Sequence, residues 1–253
     1  MMPHFSPLLW IAIIAITLTA GLVKGLVGFA MPMIMISGLS SVLPPDVALG
    51  ALIVPTLATN LLQALRQGWH AAIASVRAHR RYVAVVVVVL AFSAQLVAIL
   101  PSWVLFLVLG TAVVTFACIQ LAGLRIHIPP ERRTLAEVFF AALSGFFGGM
   151  SGVWGPTTVM YLTALDTPKT EQIRVQGIVY GLAAVALTIA HTNSGAFNAT
   201  TAPLSVLLLI PALAGLVIGV RLHDRLDQDK FRRATLAVLV IAGLNLVRRG
   251  LFS

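Results

Sequence analysis

Eight apolar runs, at roughly residues 7–28, 46–65, 82–100, 103–124, 134–152, 170–191, 203–221 and 231–247, each approach the length of a bilayer crossing. A crossing takes about 20 apolar residues as helix, because the hydrocarbon core is about 30 Å thick. Backbone N–H and C=O groups in lipid must find partners within the protein, and a helix satisfies its own. Composition agrees: 59% of residues are hydrophobic and 10% charged, where a soluble domain carries roughly a quarter charged. The chain is therefore expected to be an all-α polytopic membrane protein. Two further runs, 30–43 and 153–165, are too short to cross upright, which leaves eight to ten membrane segments.

A shift of 124 positions aligns the chain with itself. Gly21, Gly25, Gly28 and Pro32 fall on Gly145, Gly149, Gly152 and Pro156, Pro44 falls on Pro168, and Ala12 on Ala136. The sequence thus reads as two related halves, residues 1–124 and 134–253, joined by a linker at 125–133. The N-terminal run has a counterpart in the second half and no basic residue before it, so it reads as a retained segment, not a cleaved signal.

Basic residues cluster in three loops: 66–81, 125–133 and 221–233. Lys and Arg mark cytoplasmic loops. Loop 66–81 is basic, whereas the corresponding region near 191–202 has no Lys or Arg and should face outward. The halves are therefore expected to be inverted-topology repeats with both termini outside. Arg248 and Arg249 stand against that orientation.

Each half carries its Gly/Pro stretch inside an apolar run. The glycine spacings of four, three and four place Gly21, Gly25, Gly28 and Pro32 on one helical face. Such a stripe can simply bring two helices close. The terminating proline, the short run beyond it and the duplication point further, to broken helices of the kind that bind substrate near the midplane of inverted-repeat transporters. Lys24 lies beside the first stripe, and a cation inside an apolar run is a functional-site candidate unless it snorkels to the interface. Its repeat mate is Gly148; conversely Arg174 has Gly50 as its mate and is a candidate second cation, with an i,i+3 pair to Glu171 as the competing explanation. Asn60, Gln63, Gln176 and Tyr180 fall in the helices after the breaks, and Ser151, Thr157, Thr158 and Tyr161 around the second. Helix–helix hydrogen bonding is the plain alternative for each. The expected substrate-binding set is Lys24, Gly25, Gly28, Pro32, Asn60, Gln63, Ser151, Gly152, Trp154, Gly155, Pro156, Thr157, Tyr161, Arg174, Gln176 and Tyr180. His191 is a candidate for a coupling proton, or an interfacial residue at the end of its run.

The stretches Gly21-Leu-Val-Lys-Gly-Leu-Val-Gly-Phe-Ala-Met-Pro32 and Gly148-Gly-Met-Ser-Gly-Val-Trp-Gly-Pro156 resemble the TauE/SafE family of membrane transporters over nearly the whole chain. Pro55-Thr-Leu-Ala-Thr-Asn-Leu-Leu-Gln63, Tyr161, Pro168 and Arg174 fit the same pattern. Ala30 departs from it, since a further glycine is common there. The resemblance implies export of small sulfur-containing or organic anions such as sulfite or sulfoacetate, and residence in a prokaryotic inner (plasma) membrane.

Other classes fit less well. The net charge of +9 lies in topology-encoding loops, which argues against nucleic acid as a partner. The single cysteine gives no disulfide or thiolate metal site, and no cofactor is expected. The absence of a Gly-x-x-x-x-Gly-Lys-Ser/Thr loop removes self-driven ATP hydrolysis, leaving the membrane potential or a proton gradient as driving force. No His-Glu-x-x-His or Gly-x-Ser-x-Gly motif supports a membrane enzyme. A scaffold subunit and an anion channel stay open as alternatives, as does a homo-oligomer. The expected partners are the lipid bilayer and a small anionic substrate.

Overall fold

A computed structural model describes residues 6–93, 102–124, 127–151, 155–193 and 197–252. Every regular element among the described residues is helical: α1 (Pro7–Val27), α2 (Met31–Leu39), α3 (Pro45–Ala51), α4 (Ile53–Leu65), α5 (Trp69–Ala78), α6 (Arg80–Ser93), α7 (Ser102–Leu121), α8 (Arg133–Ser151), α9 (Gly155–Ala164), α10 (Lys169–Asn193), α11 (Ala202–Arg225) and α12 (Gln228–Leu251), with a 3-10 turn at Pro130–Arg132. Among the described residues, four stretches are long and apolar enough to cross a membrane: Pro7–Val27, Asp46–Leu65, Ala202–Arg225 and Gln228–Leu251. The expected all-helical polytopic membrane protein is what the chain forms.

The two short runs become α2 and α9. With nine and ten residues, they are about 14 and 15 Å long at 1.5 Å per residue, half of what a crossing requires. Packing interleaves the two sequence halves: α1 lies along α11 and α8 along α6, while α4 packs on α10 and α7 on α12.

Glycines set the closest of these approaches. A Cβ on Gly21 would sit 2.2 Å from the Ala212 carbonyl oxygen, and one on Gly25 2.3 Å from that of Leu216. From the other side, a Cβ on Gly215 would meet the Leu18 carbonyl oxygen at 2.0 Å, and one on Gly219 that of Leu22 at 2.1 Å. Two small-xxx-small faces thus oppose each other, which lets the backbones touch where lipid offers no hydrophobic drive for association. Gly145 does the same for α8, its Cβ position lying 2.7 Å from the Val86 carbonyl oxygen of α6.

The run 46–65 reads in the sequence as one helix, but the structure divides it at Leu52 into α3 and α4. Pro55 has no N–H to give to the Ala51 carbonyl, and its ring crowds the preceding turn. Ser205 of α11 fills the gap: its hydroxyl donates to the Ala51 carbonyl and accepts from the Val54 N–H, both at 3.0 Å. The corresponding position in the second half is Val179, which keeps its N–H, and α10 runs unbroken through it.

Between α1 and α2 the chain breaks as the Gly/Pro pattern suggested. Gly28 caps α1 with φ +88° and its N–H bonds the Lys24 carbonyl. Ala30 precedes α2 in the left-handed region as well, at φ +73°. An L side chain there costs about 1–2 kcal/mol, more than the roughly 0.8 kcal/mol its buried methyl contributes. Ala30→Gly is accordingly expected to raise stability by about 0.5 kcal/mol, read as a small upward shift of the unfolding midpoint in detergent.

The basic stretch 66–81, which reads as a loop, contains α5. This helix is docked rather than free, because the Arg174 guanidinium of α10 donates from Nε to Ser75 Oγ at 2.7 Å, and His79 meets Glu171 at 3.1 Å.

Candidate functional site

Lys24 is placed one turn before the end of α1 and is 1% exposed. Its ammonium donates to Asn60 Oδ1 of α4. Asn60 in turn donates through Nδ2 to the Tyr180 carbonyl of α10 at 3.1 Å, and the Tyr180 hydroxyl donates to the Gly155 carbonyl at the start of α9 at 2.9 Å. Tyr180 thus links Lys24 and Asn60, through its carbonyl, to the start of α9, through its hydroxyl. Phe29 closes the same distance directly, its ring lying 3.7 Å from where a Cβ on Gly155 would sit. The first break thus reaches the start of α9.

Two glutamines hold the first break open. Gln63 donates through Nε2 to the Gly28 carbonyl at 3.0 Å and to the Ile173 carbonyl at 2.7 Å. In the amide orientation that satisfies both its ends, Gln176 donates to the Val27 and Gly28 carbonyls at 3.2 and 3.0 Å. These are the carbonyls that a helix end leaves without intrahelical partners, and in hydrocarbon they need protein cover. Any Cβ at Gly28 would stand 2.0 Å from the Gln176 amide. Both glutamines are committed to backbone, apart from Gln63 Oε1, which is buried without a partner.

The electrostatics centre on Lys24. Among the described residues no carboxylate stands within ion-pair distance of its ammonium. An amide oxygen offers it one acceptor, while an ammonium carries three donors. Alongside lies a cavity of about 400 Å³ bordered by Lys24, Gly25, Gln63, Arg66 and Arg221, with Leu62, Ile173, Leu216, Val217 and Val220 as apolar wall. Arg66 and Arg221 read in the sequence only as topology signals, since each lies at a helix end far along the chain from Lys24. Nothing local in the sequence indicates that they share a cavity with it.

Other expected site residues are placed elsewhere. Gly25 packs against α11 as well as bordering the cavity, and Pro32 opens α2. Gly155 and Pro156 open α9, where Thr157 is buried. Tyr161 stacks on Tyr82, ring centroids 4.9 Å apart, and its ring is committed to the packing of α9 against α6. Tyr82 donates to Thr158 Oγ1 at 3.0 Å, and Ser144 shares that oxygen at 2.9 Å. Arg174 bonds Ser75 and Gln67 Oε1, so it neither pairs with Glu171 nor faces the cavity; Glu171 goes to His79 instead. Gly152 and Trp154 lie outside the described residues, as do the side chains of Ser151 and His191.

All-helical architecture with stretches long and apolar enough to cross a bilayer defines this molecule as a helical membrane protein. The family model described as Sulfite exporter TauE/SafE matches residues 13–246, and the chain belongs to this family. No curated protein and no solved structure matches the chain.

Proposed function

We propose that the protein is a secondary transporter that exports a small anion, such as sulfite, sulfoacetate or a related organosulfur or carboxylate ion, across a prokaryotic plasma membrane. The observation that carries this reading is Lys24: a buried ammonium with a neutral amide as its partner, bordering a cavity that also holds two guanidinium groups. A small oxyanion would supply the missing negative charge and the missing acceptors together. The family's own description adds weight to sulfite and its chemical relatives.

Alternating access follows from two inverted repeats. The element order supports a duplication: α1, α2 and α3–α4 recur as α8, α9 and α10, and α6 and α7 as α11 and α12. The interleaved packing builds two helix pairs, α1–α11 and α6–α8, each from one helix of either half, that can rock around the α4–α10 and α7–α12 axes. The membrane potential or a proton supplies the driving force. Arg66 and Arg221 belong to basic loops, so the cavity described here opens toward the cytoplasm by the positive-inside rule.

Purified protein in liposomes, offered sulfite, sulfoacetate, sulfate and small carboxylates in turn, is expected to move at least one of them with saturation and counterflow. Movement of none overturns the reading; flux without counterflow makes the protein a channel.

A further inference from the structure

The cavity beside Lys24 has a charged rim as well as a charged end. Lys24 is buried, whereas the Arg66 side chain is 28% exposed and Arg221 is exposed. Arg66 lies just past the end of α4 and Arg221 in the last turns of α11, so two guanidinium groups from different helices border one cavity. Apart from Gly25 and Gln63 the rest of the wall is aliphatic, a low-dielectric surround that strengthens the pull of each cation on an anion.

Arg66 already has an anionic partner. Arg66 Nη2 donates to both carboxylate oxygens of Asp224, at 2.7 and 2.6 Å. One nitrogen makes both contacts, so Nη1 and Nε of Arg66 are not engaged by Asp224. Asp224 is itself half exposed, at 54% for its side chain, and an exposed pair of this kind is weak and readily exchanged. Arg221 makes no ion pair among the described residues. A guanidinium with free donors, a second without a partner and a carboxylate held by a single nitrogen make an arrangement that an oxyanion can enter.

We propose that Arg66 and Arg221 form an outer binding site for small oxyanions at the cavity rim, distinct from Lys24, in which Asp224 is a resident counter-ion displaced by the arriving anion. The site rests on the transport reading above and adds a step to it: the anion docks on the guanidinium pair, then exchanges two exposed cations for one buried one. Asp224 acts as a competitor that holds Arg66 in position while the site is empty, and it excludes anions too weakly bound to replace it.

Sulfite is the probe. In liposomes with the Arg66 face outward, Arg66→Gln and Arg221→Gln are each expected to raise the KM for sulfite about fivefold with maximal rate within about twofold, the size of a partly exposed charge contact. Asp224→Asn is expected to lower KM, because the competitor is gone while Arg66 remains. All three effects should shrink as ionic strength rises to about 0.5 M. In nanodiscs, Lys24→Met should retain weak, salt-sensitive sulfite binding that an added Arg66→Gln removes. If wild type transports sulfite while KM and its salt dependence are unchanged in the Arg66, Arg221 and Asp224 variants, the outer site is overturned and the transport reading survives. Should Arg66→Gln fail to fold, Asp224→Asn decides alone, since an unchanged or raised KM there is equally fatal. Wild type that neither binds nor moves sulfite overturns both for this anion.

Discussion

Lys24→Met is expected to reduce anion flux on the order of 100-fold or more, the scale on which removal of a buried charge contact weakens a complex, while leaving the protein at least as heat-stable as wild type. The two halves of that expectation have one cause. Lys24 is 1% exposed and its ammonium meets an amide oxygen, with no carboxylate beside it among the described residues. Burying such a charge is costly, and methionine of similar length fills the space without that cost. Against this gain stands Asn60 Oδ1, left buried without a donor at a cost of about 1–3 kcal/mol, which the several kcal/mol of a buried ion offsets, so stability stays level or rises. A substrate anion, by contrast, loses its one fully buried counter-charge. Flux assays paired with thermal unfolding separate the outcomes. A fall in unfolding midpoint with flux intact would make Lys24 a structural residue and remove it from the anion site.

Gly25→Leu and Gly219→Leu are expected to be the most destabilising of the substitutions considered, at about 3 kcal/mol or more each, as overpacked contacts between backbones are. At Gly25 a Cβ would stand 2.3 Å from the Leu216 carbonyl oxygen and 2.8 Å from the Val220 N; at Gly219 it would stand 2.1 Å from the Leu22 carbonyl oxygen. These neighbours are backbone, so no side-chain rotation relieves them, and α1 must separate from α11. Separation would also move Lys24, which lies one residue from Gly25, so transport should fail with stability. Gly181→Ala is the matching control, because its Cβ would meet only Asn60 Cβ, at an ordinary 3.8 Å. Unfolding midpoints in detergent check the series. Equal midpoints for Gly25→Leu and Gly181→Ala would mean that the α1–α11 contact is far looser than described.

These two residues also separate the roles that the Gly/Pro stripe combined in the sequence. Gly21 and Gly25 serve helix packing, the plainer of the two readings available for a small-residue stripe. Gly28, with φ +88°, and Pro32, at the start of α2, make the break itself. Spacing alone could not divide them, because all four fall on one helical face. Similarly, Gln63 and Gln176 are polar residues in the right helices, but the structure assigns them to the Gly28 carbonyl, where they cap an interrupted helix. Arg174 meets Ser75 of α5 and Gln67 just before it, partners that its spacing from Glu171 does not indicate.

The sequence by itself determined what depends on composition and short-range pattern. Apolar runs of crossing length dictate membrane helices, glycine and proline dictate where α1 and α2 part, and a lysine within an apolar run marks a charge that needs an explanation. Tertiary structure alone decided which distant groups answer those local demands. Asn60 reaches Lys24 across 36 positions, Gln63 caps a break while also bonding Ile173 110 positions away, and Asp224 meets Arg66 across 158. Ser205 repairs the Pro55 interruption from α11, a helix whose position no pattern near Pro55 encodes. The division is physical. Solvation by lipid and backbone sterics act within a turn or two of helix, so they can be read along the chain; hydrogen-bond partners for buried polar groups come from whichever helix packing brings near.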